Sequence, residues 1–78
     1  MASYRRKDDR KLGITDTIDL IRNLLGKYVE AGGKMNPTPF GVVKSDDMIS
    51  LVIVDNKFIS PELRDRWMTD LGYRRCDS

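Results

Sequence analysis

The side chains with chemistry to offer are few and unevenly spread. The chain has 78 residues, no histidine and one cysteine. Ser-His-Asp and Cys-His constellations are therefore excluded, and one thiol without imidazole cannot build a zinc site. Cys76 falls in a polar stretch, whereas a catalytic thiol needs a structured environment that lowers its pKa. No Gly-x-x-x-x-Gly-Lys-Ser/Thr or Gly-x-Gly-x-x-Gly pattern occurs, so no loop of either type is present to cradle phosphates. One acid–base constellation stands out: Asp47, an apolar run, then Asp55-Asn56-Lys57. A second candidate is basic. Arg5, Arg6, Lys7, Arg10 and Lys11 cluster near the N-terminus, and Arg74 and Arg75 near the C-terminus. That chemistry is electrostatic capture of phosphate or of an acidic partner.

The spacing Asp47…Asp55-x-Lys57 resembles the Asp…Asp-x-Lys pattern of metal-dependent restriction-type nucleases. The resemblance spans about eleven residues. It implies two strand-borne carboxylates holding Mg²⁺ and a lysine supporting the attacking water. Those enzymes need a larger sheet than this chain can supply, and hairpin turns favour Asp, Asn and Lys in any case. Trp67…Leu71-Gly72-Tyr73-Arg74-Arg75 resembles the last helix and strand of acetyl-CoA-dependent N-acetyltransferases. The pyrophosphate-binding loop of that family is missing. Neither likeness assigns the chain to a family, and no cofactor is expected.

The element expected to organise the fold is residues 48–59, the most apolar and most β-branched run. Val and Ile favour extended geometry. In a strand, Ile49, Leu51 and Ile53 point to one face and Met48, Val52 and Val54 to the other, which predicts burial on both faces. Residues 40–44 predict a preceding strand, joined through a turn at Ser45-Asp46-Asp47. Asp55-Asn56 predicts a second tight turn, and residues 57–59 a short third strand.

Two helices are predicted to flank this meander. Over residues 14–31, Ile14, Ile18, Ile21, Leu25 and Tyr28 recur at spacings of 4, 3, 4 and 3, and Leu20, Leu24 and Val29 widen the stripe. Thr15 or Asp16 suits the cap, and Gly32-Gly33 the end. The spacing is also that of a dimerisation seam, although two heptads are few. Ser60-Pro61-Glu62 is the clearest boundary: a capping serine, proline at the first helical position, an acid in the first turn. That helix carries Leu63, Trp67, Met68 and Leu71 and ends before Gly72. The expected fold is thus α+β in two layers: N-terminal helix, three-stranded antiparallel meander, C-terminal helix. Residues 1–13 are expected as a flexible basic arm, 14–73 as the domain and 74–78 as a polar tail.

Charge follows the same division. Residues 1–13 hold five basic groups against two aspartates, a net +3, while the other 65 residues carry −1. A domain this short buries only about 60–65 per cent of its unfolded surface, so association is the expected source of added stability. There is no apolar leader-like segment and no run near the roughly 18 apolar residues of a membrane span. A lone cysteine suits a reducing compartment. We therefore expect a soluble cytoplasmic protein that does not engage a membrane. The expected function is non-enzymatic: a small interaction or regulatory protein, adaptor- or inhibitor-like in the manner of small bacteriophage regulators. It would bind a protein partner or form a homodimer through Ile18, Ile21, Leu25, Tyr28 and Trp67, tryptophan being the residue type most enriched at binding hot spots. The alternative is nucleic-acid binding through Arg5, Arg6, Lys7, Arg10, Lys11, Arg74 and Arg75, for which no RNP-like or helix-turn-helix signature is present.

Overall fold

The computed structural model describes residues 2–34, 39–54 and 57–76. Six elements follow one another: β1 (Ala2–Arg6), α1 (Ile14–Glu30), β2 (Phe40–Ser45), β3 (Met48–Ile53), α2 (Pro61–Asp70) and β4 (Tyr73–Arg75). The four strands form one antiparallel sheet in the order β2-β3-β1-β4. This α+β connectivity is the ferredoxin-like, split βαβ arrangement.

Two strands come from segments expected to lie outside the domain. Residues 2–6 are not an arm: β1 is an inner strand, with Ala2 opposite Leu51 on one side and Arg5 opposite Arg74 on the other. The expected polar tail begins with β4, and the Cys76 amide extends that pairing by donating to the Ser3 carbonyl at 3.0 Å. Ala2 and Tyr4 are each 1% exposed, so the N-terminal strand inserts two side chains into the core. Conversely, residues 57–59 form no strand. The expected turn at Asp55-Asn56 lies outside the described residues.

The hairpin β2–β3 forms as its sequence predicts. Ser45 pairs with Met48 across Asp46-Asp47, and Asp46 takes a left-handed conformation (φ 52°) that Asp tolerates better than most residues. Burial on β3 alternates instead of covering both faces. Ile49 and Leu51 are fully buried, while Val52 is 38% exposed and Val54, just beyond the strand, 58%. The reason is architectural: cross-strand partners share a face, and every buried strand residue lies on the face that the helices cover. The opposite face is bare.

Both helices start and stop on local signals. Gly13, and not Thr15 or Asp16, is the α1 N-cap; Asp16 reaches back to accept from the Gly13 amide at 2.9 Å. Ser60 caps α2 by accepting from the Leu63 amide at 3.1 Å, with Pro61 following. Gly32 (φ 97°) and Gly72 (φ 93°) take the left-handed turn after each helix. Gly33 is held for a different reason: a Cβ there would fall 2.4 Å from the buried Tyr28 ring.

The core joins Leu20, Leu24 and Tyr28 of α1 and Trp67 and Met68 of α2 to Tyr4, Phe40, Ile49, Leu51 and Tyr73 of the sheet. The expected seam on α1 is therefore split. At 100° per residue, Leu20, Leu24 and Tyr28 form the buried row. Ile14 (74% exposed), Ile18 (50%) and Val29 (50%) lie on the flank beside it, with Ile21 and Leu25 half-buried between.

Candidate functional site

The seven basic residues proposed from sequence do not form one patch, because alternation along β1 and β4 sends them to opposite faces. Arg6 and Arg75 lie on the helix side and are consumed there. Arg6 donates to both Asp8 oxygens at 2.9 and 2.8 Å and meets Asp16 at 2.9 Å. Hydrogen bonds from Arg6 and from the Arg10 amide draw the Asp8 carboxyl down to about 2. Lys7 donates to the Thr69 carbonyl at 2.9 Å and so tethers the end of α2.

Arg75 joins a partly buried network centred on Asp65. Asp65 accepts from Arg75 at 3.1 Å and, through its other oxygen, from the Tyr4 hydroxyl. Arg64 in turn donates to the Tyr4 hydroxyl at 2.8 Å. Partial burial opposes ionisation of Asp65, but the bonds from Tyr4 and Arg75 and the charges of Arg64 and Arg75 outweigh it, so the carboxyl lies below its usual range. Tyr4 is pushed up to about 12, first by burial and then by its bond to Asp65, with the Arg64 charge working against both. This network ties β1 to α2 and β4.

The network makes alkaline stability measurable. Below about pH 10, Tyr4 is protonated in folded and unfolded chains alike. Above it, the unfolded chain loses the proton while the folded chain holds it until about 12. Stability should therefore fall across that window, by roughly 2 kcal/mol from this group. Urea midpoints at pH 8 and pH 11.5 should diverge in the parent chain and diverge less in Tyr4→Phe, in which Tyr73, also raised by burial, still contributes. Equal pH slopes in both proteins would remove the basis for this assignment.

Arg5 and Arg74 lie on the bare face. They stand directly opposite each other in the β1–β4 register, a like-charge cross-strand pair. Arg74 has a 3.1 Å pair with Asp9 at the rim. Among the described residues, Arg5, Arg10 and Lys11 form no ion pair. The rest of the bare face is Ser3 beside Ser50 (Oγ–Oγ 3.3 Å), Val43 opposite Ser50, Val52 opposite Gly41, and Met48. None of these strand positions carries a carboxylate.

No protein-family model, curated protein or solved structure matches this chain.

The remaining sequence candidates resolve as follows. Tyr28 and Trp67 are buried in the core, Leu25 and Ile21 are half-buried, and Ile18 alone of that group is exposed. Tyr28 packs edge-on against Phe58 with ring centroids 5.3 Å apart. Asp47 accepts from the Leu12 amide at 3.2 Å, which anchors the loop entering α1; Asp55 and Asn56 of the nuclease-like pattern lie outside the described residues. Among the described residues no helix is long and apolar enough to cross a membrane. Sequence reasoning missed Val43 and Val52 as surface residues, and it missed Asp19, Asn23 and Tyr73 as the lining of a cleft. Ser50, which shares a face with Val43 and Val52, was the available signal for the first. Nothing short of the tertiary fold brings the second group together.

Proposed function

We propose that the chain is a small, non-enzymatic interaction module that docks an acidic, apolar segment of a protein partner on its bare sheet face. The observation that carries this reading is the pairing of Arg5 with Arg74 on a face otherwise built of Val43, Val52, Ser3, Ser50 and Met48. Two guanidinium groups set side by side repel each other; Asp9 offsets Arg74 at 3.1 Å, and a partner carboxylate that reaches Arg5 relieves the rest and gains bidentate hydrogen bonds. The valines beside them supply apolar area to a chain laid across the strands. Charge complementarity thus favours an anionic partner over a second copy, whose own Arg5 and Arg74 would add to the positive field. It favours peptide over nucleic acid because this face holds no aromatic ring for bases to stack on.

Selection of a random peptide library against the full chain tests the reading. The enriched sequences should combine Asp or Glu with aliphatic residues, and their amide shift changes should map to β1, β3 and β4. Arg5→Glu combined with Val52→Asp should weaken binding by roughly tenfold or more. Preferential binding of single-stranded oligonucleotides, with affinity falling steeply as salt rises, would replace this function with nucleic-acid binding. Peptides whose binding ignores the double substitution would refute the site.

A further inference from the structure

A cleft of about 280 Å³ opens on the helix side, between the N-terminal half of α1 and the α2–β4 junction. Arg6, Asp16, Asp19, Asn23, Leu71 and Tyr73 contribute to its wall. It lies across the sheet from Arg5 and Arg74, so it is independent of the face discussed above. We propose that this cleft binds an organic monocation: an alkylammonium or alkylguanidinium group, supplied by a free amine or by a lysine or arginine side chain.

The argument turns on which groups are already spent. Arg6 is saturated by Asp8 and Asp16, and the second oxygen of Asp16 accepts from the Gly13 amide. Lys7, also at the cleft, is engaged with the Thr69 carbonyl. Asp19 has no ion pair or hydrogen bond among the described residues. The charged groups of the cleft are two cations and three aspartates, so Asp19 leaves it one negative charge in excess. Tyr73 provides the independent sign of a ligand. Its residue is 5% exposed and lines this cleft, and its hydroxyl makes no hydrogen bond among the described residues. A solvent-accessible phenol accepts from an ammonium or guanidinium N–H as readily as it donates. Leu20 and Leu71 give the alkyl stem an apolar wall. The volume, just below the usual range of small-molecule sites, suits a single extended side chain.

The test is titration of the ¹⁵N-labelled full chain with n-butylammonium chloride and, separately, with Nα-acetyl-lysine amide, against sodium chloride at equal ionic strength. Saturable amide shifts should appear at Asp19, Asn23, Gly72 and Tyr73, including the Asn23 side-chain amide. Asp19 is exposed, so Asp19→Asn should fold normally and weaken binding by roughly tenfold. Tyr73→Phe, with folding checked by circular dichroism, should weaken it several-fold. Tighter binding of the lysine derivative identifies a peptide side chain as the source, and tighter binding of butylammonium a free amine. Shifts no larger than those from sodium chloride, or unchanged affinity in Asp19→Asn, would overturn the proposal.

Discussion

Removal of residues 2–6 should leave a chain that does not fold. β1 is hydrogen-bonded on both sides, to β3 and to β4. Without it the sheet separates into the β2–β3 hairpin and a lone β4. Ala2 and Tyr4 leave the core, and Asp65 loses the hydroxyl that helps hold its charge. Truncating a buried aromatic alone typically costs 3–5 kcal/mol. A domain of this length has about 4–12 kcal/mol in total, and the deletion also removes both ladders that β1 makes. Circular dichroism and a urea titration should show a largely unfolded chain with no cooperative transition. A truncated chain that melts cooperatively near the parent would show instead that this segment is dispensable. The same result bears on any binding assay: deleting the basic N-terminal segment destroys the scaffold along with its charges. Point substitutions at Arg5 are the usable probe.

Leu24→Ala should cost about 2–5 kcal/mol, while Ile18→Ala should cost under about 1 kcal/mol. The two residues sit on one amphipathic helix six positions apart, and the sequence pattern does not separate them. Leu24 is 1% exposed and packs in the cluster under the sheet; Ile18 is 50% exposed on the flank. In a domain this small a loss of 3 kcal/mol lowers the melting temperature by roughly 12–24 °C. Thermal denaturation of the two variants reads the difference directly. If Ile18→Ala proves the more damaging, the buried face of α1 has been misassigned. A concentration-dependent melting temperature lost in Ile18→Ala would restore the dimer seam first suggested by its spacing.

Helix boundaries were legible because they depend on neighbours in sequence. Ser60-Pro61-Glu62 and the glycines at 32 and 72 satisfy or end the backbone hydrogen bonds of their own turns. The β2–β3 hairpin was legible for the same reason, since its register follows from a two-residue turn. β1 and β4 were not. Each has too few apolar positions, Ala2 and Tyr4 in one and Tyr73 in the other, to rise above its arginines. Their pairing is with segments some 45 to 71 residues away, and no local signal encodes that. The basic residues were expected on an N-terminal arm and a C-terminal tail, and both segments are strands of the sheet. Strand alternation, invisible while the segments were read as tails, sends Arg6 to the helices and Arg5 to the open face.

By itself the sequence determined the α+β class, the cap of α2, the glycines that end both helices and the absence of histidine from the chain. These follow from residue types and short-range spacing. Only the tertiary structure decided that the termini enter the sheet, that one face of β3 stays bare, that Arg5 faces Arg74, and that Asp19, Asn23 and Tyr73 share a cleft. The physical reason is common to all four. Each depends on which long-range pairing buries the most apolar surface at the least loop-closure cost, a comparison among whole folds that no single stretch of the chain expresses.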